Sequence, residues 1–133
     1  MANMSIPVTL DKLREELAGF TSTATYLLTV SGDGRPHSVA VAPGWQGDEL
    51  VMGAGKTTVA NAAARPDVSL VWAPGEAGGY SLIVDATVVA TDPGDGDSTV
   101  TVRPTKAVLH RPATSPDSMR PGCTSDCVPL LRS

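Results

Sequence analysis

Residues 53–72 read GAGKTTVANAAARPDVSLVW, and this stretch indicates how the chain passes from strand to helix and back to strand. Gly53 and Gly55 favour a tight turn after the strand-like run DELVMGA. An alanine-rich helix follows, and Pro66 ends it after about two to three turns because proline cannot continue a helix. The run DVSLVWA then returns to a strand composition. One short helix between strands favours an antiparallel sheet over a layered α/β fold.

The beginning of this stretch imitates a nucleotide-binding phosphate loop. Gly55, Lys56 and Thr57 match the second half of the pattern G-x-x-x-x-G-K-[ST], and Asp85 at the end of SLIVD imitates its acidic partner. The first glycine of the pattern is missing because Leu50 stands at its position. A phosphate-loop domain also needs a parallel sheet with repeated crossover helices. We therefore predict that the chain does not hydrolyse ATP or GTP.

The same segment nevertheless has the chemistry of an anion site. Backbone N–H groups at the glycines, the charge of Lys56, the hydroxyls of Thr57 and Thr58 and the start of a helix all favour a bound anion. The alternative is an ordinary junction in which Thr57 only caps the helix and Lys56 is only a solvated charge. The residues alone leave both interpretations open.

Composition limits the class of protein. The 133 residues suffice for one domain, and the net charge of −4 argues against nucleic acid as the main partner. No apolar run reaches the roughly 18 residues of a membrane span, and the beginning MANMSIPVTL lacks a signal-peptide layout. We therefore expect a cytoplasmic protein. Because aromatic residues make up only 4%, Val, Leu and Ala must build the core, and a partner subunit is expected to bury further apolar surface.

The remaining patterns predict the other elements. TLDKLREELAG has the leucine spacing of a helix, with Thr9 as its N-cap and Gly19 as its end. ATYLLTVS and HSVAVAP form a hairpin joined by GDGRP. GGYSLIVDATVVATD exceeds an ordinary strand and should contain a bend or bulge, and TVTVRPTKAVLHRP begins as a strand. We predict a mainly β (α+β) fold: six to seven antiparallel strands closing into a barrel, with two short flanking helices.

The end of the chain differs in composition. We assign residues 1–112 to the domain and expect residues 113–133, a Pro/Ser-rich segment, to form a loosely packed tail. Cys123 and Cys127 lie in that tail, and His37 and His110 are the only histidines. Because a zinc site needs two further ligands at suitable spacing, we interpret the cysteines as free thiols and expect no metal.

In order and spacing, these elements resemble the pyridoxamine 5′-phosphate oxidase-like family, the flavin-binding split barrels. The resemblance spans residues 10–112. It rests on the hairpin YLLTVSGDGRPHSVAVAP with its turn at Gly34, Arg35 and Pro36, the strand DELVMGAG, and the strand YSLIVDATVVA. It also rests on KTTVANAAARPDVSLVW with Asn61, and RPTKAVLHRP resembles the ending of many small members.

This resemblance implies a homodimer of split barrels with flavin at the subunit interface, acting as an oxidoreductase on a small molecule. The implied cofactor is FMN, or the deazaflavin coenzyme F-420 in one branch. Phosphate would be held at Lys56, Thr57 and Thr58, with His37 and Ser38 nearby, and the ring would lie along the backbone of residues 39–41 and 51–54. The positions that match the family's cofactor site are His37, Ser38, Val39, Ala40, Val41, Met52, Gly53, Ala54, Lys56, Thr57, Thr58, Asn61 and Ser81.

Departures from the family pattern keep other functions open. Members that hold FMN tightly often carry Arg or Lys where this chain has Thr57 and Thr58, and one Lys with neutral donors holds a phosphate dianion less strongly. The alternatives are a flavin or haem carrier without turnover, or a dimerisation module without cofactor. No catalytic residue is identified, since a flavin supplies the redox chemistry itself.

Several other residues have both a functional and a structural interpretation. Trp72 and Tyr80 could lie near a ring, but strand packing is the simpler role. His110 and Arg111 could reach a phosphate across a dimer interface, although a strand-end role is favoured. We interpret Asp85 as a structural residue within a strand.

Overall fold

The centre of the molecule is an antiparallel sheet of eight strands, seen in a computed structural model that describes residues 4–20, 23–94 and 96–112. In chain order the elements are β1 (Met4–Val8), α1 (Leu10–Leu17), a 3-10 turn (Ala18–Phe20), β2 (Thr25–Val30), β3 (Pro36–Val41), β4 (Gly44–Gln46), β5 (Glu49–Gly53), α2 (Lys56–Ala64), β6 (Asp67–Trp72), β7 (Ser81–Asp92) and β8 (Thr99–Arg111).

The strands follow the order β3-β2-β6-β7-β8-β5-β4, and β1 pairs with the second half of β8. This arrangement confirms the predicted antiparallel barrel with two short helices. It contains one strand more than the upper limit of seven, because β1 and β4 lacked a recognisable signal. β1 contains Pro7, and β4 has only 3 residues. The sheet contains none of the parallel pairs that a phosphate-loop domain would need among the residues described.

The two longest strands, β7 and β8, form a bent ribbon. Its register shifts between Asp85 and Ala86, where the partner changes from Lys106 to Pro104, and again between Val88 and Ala90. Proline cannot donate to a ladder, so a bulge is where a strand tolerates Pro104. The expected bulge in the long segment is therefore confirmed, and β8 continues as a strand to Arg111.

The turn between β2 and β3 has the predicted chemistry. Gly34 adopts a φ of 84°, and its N–H donates to the Ser31 carbonyl at 2.9 Å. The Asp33 carboxylate accepts from the Ser31 hydroxyl and from the Arg35 N–H at 3.2 Å. These bonds lower the pKa of Asp33, the Ser31 bond most. The GDGRP segment thus fixes the hairpin.

Both helices cover the core, which Leu, Val and Ala dominate as expected. α1 buries Leu13 and Leu17. It ends at Leu17 because the 3-10 turn follows, so Gly19 lies inside that turn and does not end the helix, contrary to expectation. Thr9 is the N-cap residue but makes no side-chain capping bond. α2 ends before Pro66, as predicted.

A buried polar contact ties α2 to the sheet. The Asn61 side-chain amide donates to the Thr29 hydroxyl of β2 at 3.2 Å, and both residues are buried. At the end of the helix, the Arg65 Nε–H donates to the Val30 carbonyl at 3.0 Å and to the Ser31 carbonyl at 3.2 Å. Buried donors and acceptors are costly when unpaired, so these bonds set the position of α2 over β2.

Some expectations fall outside the described residues. The proposed tail 113–133, with Cys123 and Cys127, is one of them, so its packing stays a prediction. Within the described part of the chain, no helix is long and apolar enough to cross a membrane. No group of three or more potential metal ligands occurs there either.

The Asn61–Thr29 contact predicts a coupled stability effect. Asn61→Ala should lower the free energy of unfolding by about 1–3 kcal/mol, because it leaves the buried Thr29 hydroxyl unpaired. In the Asn61→Ala background, Thr29→Val should lower the free energy of unfolding by less than it does in the wild-type chain. Urea unfolding followed by circular dichroism measures all three variants, with exposed Thr57→Val as the control. Strictly additive losses would contradict the contact.

Candidate functional site

The junction between β5 and α2 leaves the helix N-terminus without a side-chain cap. Gly55 is the N-cap residue, in extended conformation, and among the described residues no side chain bonds to the first-turn amides. Lys56 and Thr57 are exposed at this end. The N-cap position is thus held by Gly55, one residue before the helix begins at Lys56, and not by Thr57 as the structural alternative proposed. Uncapped N–H groups and the helix dipole favour an anion here.

Thr58 faces the opposite way from its exposed neighbours. It is buried, and its hydroxyl lies 3.3 Å from the His37 Nε2 on β3. The contact brings the first turn of α2 beside the beginning of β3. His37 is half-buried, whereas Ser38 lies on the other face of the strand and is exposed. The structure therefore groups His37, Lys56, Thr57 and Thr58, and sets the Ser38 side chain apart from them.

The rest of β3 forms an edge of the sheet. In the described chain it pairs only with β2, so one side of its backbone has no partner strand. Val39 and Val41 pack against the core, and Ala40 is exposed on the other face. An edge of this kind presents N–H and C=O groups that a planar polar ring can bind.

The remaining sequence-predicted positions lie on β5, at the junction before α2, within α2 and on β7. Met52 is a core side chain, 2% exposed, and Gly53 pairs with Thr99. The Ala54 N–H donates to the Ser98 carbonyl at 3.0 Å. Asn61 is committed to Thr29, as described above. Ser81 pairs with His110 at the far end of β7 and does not join this group within one chain.

The residues with two interpretations are also located. Trp72 belongs to the core at 4% exposure. The Arg111 guanidinium stacks over the Tyr80 ring at 4.6 Å, which gives both residues a partner within the chain. Asp85 is exposed, and its carboxylate accepts from the Ser69 hydroxyl at 2.9 Å. It lies within β7 as expected, at an exposed position, and its structural role stays a prediction.

Sequence reasoning missed an apolar surface on the outer face of the sheet. One residue from each of six neighbouring strands lies at the same register level and is exposed or half-buried. We call this row the outer band, and it consists of Ala40, Tyr26, Val71, Ile83, Val108 and Pro7. The alternation of residues along each strand was visible in the sequence and shows which side chains share a face. Which residues of neighbouring strands lie side by side depends on the strand register, and only the structure gives that register.

Two mycobacterial proteins match most of the chain. Uncharacterized proteins of Mycobacterium bovis and Mycobacterium tuberculosis are each 42% identical over 117 residues, covering 77% of this chain and 82% of the relative. The chain belongs to the family of these two proteins. No protein-family model matches the sequence.

Solved structures share the fold at lower identity. An F-420 reductase gives a TM-score of 0.57 at 20% identity over 66% of this chain and 90% of its own. A proposed pyridoxamine 5′-phosphate oxidase of Listeria innocua gives 0.60 at 15%, covering 75% and 96%. An FMN-binding protein of Syntrophomonas wolfei gives 0.60 at 12%, covering 80% and 88%. The haem storage protein HutZ of Vibrio cholerae gives 0.55 at 13%, covering 77% and 96%. The fold is thus the pyridoxamine 5′-phosphate oxidase-like split barrel.

The uncapped helix predicts a measurable anion response. Inorganic phosphate should shift the amide NMR signals of Lys56, Thr57 and Thr58, because their N–H groups and the lysine charge point to one place. Lys56→Gln should weaken this response by about tenfold, and added salt should weaken it further. Lys12→Gln, which changes an exposed lysine on α1, is the matched control. Equal effects of the two substitutions would contradict a site at α2.

Proposed function

We propose that this protein binds a flavin, FMN or the deazaflavin coenzyme F-420, with its phosphate at the α2 N-terminus. The observation that carries the proposal is the uncapped first turn of α2, where exposed Lys56 and Thr57 lie beside free N–H groups. Both cofactors contain phosphate and a planar ring system. The solved neighbours named for F-420 and FMN share this fold, which supports the same cofactor class.

The residues present fit a phosphate. Lys56 would supply one charge-assisted bond, the first-turn amides would supply further donors, and the exposed Thr57 hydroxyl a neutral one. Thr58 and His37 would act from behind by holding the turn in place through their 3.3 Å contact. Because the cradle has a single cationic residue, we expect moderate and salt-sensitive affinity.

The ring would lie beside the unpaired edge of β3. From His37 to Val41 the strand runs about 13 Å, at about 3.3 Å per residue, so a ligand anchored at α2 can extend along it. Backbone groups of Val39 to Val41 would bind the polar atoms of the ring. When bound, a flavin accepts and donates hydride or electrons, while the chain would position it and limit the access of water.

We infer that a second copy of the chain completes this site. The outer band crosses six strands, and Tyr26 at its centre is 42% exposed. A continuous apolar row of this extent on a small domain is typical of a surface covered in an assembly. It begins at Ala40 on β3, the strand proposed to carry the ring, so the partner would lie next to the cofactor.

We propose that the bound flavin reacts with a small molecule, which makes the protein an oxidoreductase, and that it acts in the cytoplasm. A carrier that holds flavin or haem without turnover is the second candidate. The single lysine of the cradle favours this weaker-binding role, and the haem storage neighbour shows that the fold holds more than flavins. Neither a substrate nor a proton-transferring residue is assigned.

Flavin binding is tested with the purified chain. We expect a flavin-like absorbance spectrum, or uptake of added FMN or F-420 at one site per chain. Lys56→Ala should weaken uptake by about tenfold because it removes the only cationic side chain of the first turn. Lys12→Ala should leave it unchanged. Absence of uptake by the wild-type chain would overturn the proposal, and repeated reduction by a nicotinamide donor would distinguish an enzyme from a carrier.

Dimerisation is tested with substitutions at two residues whose side chains are similarly exposed. Tyr26→Lys places a charge in the centre of the outer band and should convert a dimer to a monomer in light scattering. Val89→Lys alters a residue at 39% exposure outside the band, and the dimer should persist. A wild-type chain that stays monomeric at high concentration, or a Tyr26 variant that stays dimeric, would show that the band is not the interface.

A further inference from the structure

An aromatic groove opens where the 3-10 turn after α1 faces the connection between β3 and β4. Its volume is about 450 Å³, within the usual range for small-molecule sites. Leu17, Phe20, Val41, Trp45 and Trp72 contribute its apolar walls. None of the residues grouped at the α2 N-terminus lines it, and Val41 is the residue that it shares with the proposed ring site.

The aromatic residues of the chain are concentrated here. The sequence has 2 Trp, 2 Tyr and 1 Phe, and the groove takes both tryptophans and the phenylalanine. Trp72 belongs to the core and forms the floor, whereas Phe20 and Trp45 are half-buried and open to solvent. Aromatic side chains facing a cavity of this size favour a flat ligand that can stack on them.

Arg14 adds a positive charge at the side of the groove. Its guanidinium stacks over the Trp45 ring at 4.3 Å and donates to the Gly47 carbonyl at 2.6 Å, so its position is fixed. A guanidinium has five N–H donors, which leaves others for a ligand. Among the residues described, no carboxylate lies within ion-pairing distance of Arg14, whereas Arg103 pairs with Glu49 at 2.7 Å.

The charges around Arg14 come from the adjoining cavity. Asp11, Asp48 and Arg103 line that second cavity together with Arg14 and Trp45. The Asp11 carboxylate bonds to Thr9, which lowers the pKa of Asp11, and Arg103 is already paired. Arg14 therefore is the cation that faces the aromatic groove from this side.

We propose that the groove binds a planar aromatic acid, with the ring beside Phe20 and Trp45 and the carboxylate on Arg14. The ligand class follows from the combination of aromatic walls with one fixed, unpaired cation. Val41 borders the groove at the opposite end of β3 from His37, so the acid would bind away from the helix N-terminus.

The test uses 2-naphthoate and its neutral analogue 2-naphthamide with the flavin-free wild-type chain. Calorimetry should show one naphthoate site per chain, and binding should change the tryptophan emission because both tryptophans line the groove. Arg14→Gln should weaken naphthoate binding by about tenfold and leave naphthamide binding unchanged. Arg103→Gln, the matched control from the adjoining cavity, should change neither. Phe20→Leu should weaken both ligands.

Several results would overturn the proposal. No heat and no change in emission would show that the groove does not bind such ligands. Equal losses of naphthoate affinity in the Arg14 and Arg103 variants would show that Arg14 does not bind the carboxylate. Equal affinities for naphthoate and naphthamide would show the same. Loss of binding as the protein concentration rises would show that a second copy fills the groove. Displacement of naphthoate by FMN would show that the groove belongs to the flavin site. Circular dichroism confirms that each variant is folded.

Discussion

The pairing of β7 with β8 is the constraint on which the rest of the structure depends. β8 bonds to β7 along its length, to β5 with its first half and to β1 with its second half, so it joins both parts of the sheet. Two bulges bend this ribbon, and the inward residues Leu82, Val84 and Val100 are completely buried. Because few aromatic residues are available, the core depends on this close packing of small aliphatic side chains.

The position of α2 follows from that sheet and determines the candidate flavin site. The buried bond from Asn61 to Thr29 and the part-buried contact between Thr58 and His37 hold the helix against the sheet. Its first turn is attached to the sheet through Thr58, while Lys56 and Thr57 stay exposed and Gly55 supplies no side-chain cap. A preorganised cradle binds an anion without first paying the entropy of ordering a loop. The helix is short because Pro66 follows its last turn.

The sequence predicted the elements that have a local cause, and not those that depend on register. The turn at Gly34, the end of α2 before Pro66 and the bulge in β7 each follow from nearby residues. β4 has only 3 residues and β1 contains Pro7, so neither produces a strand pattern. His37 and Ser38 are separated because α2 packs on the face of β3 that carries His37. The outer band and the aromatic groove each combine residues from segments that are distant in the sequence. Contacts of that kind require the tertiary structure.

Whether the α2 N-terminus recognises the phosphate of a flavin can be measured by comparing the affinities of FMN and riboflavin. The two ligands share the ring and differ in the phosphate. FMN should bind at least about tenfold more tightly, as expected for one charge-assisted contact, and the difference should disappear in Lys56→Ala. Equal affinity for both ligands, or a preference for FMN that survives in the variant, would contradict phosphate recognition at the α2 N-terminus.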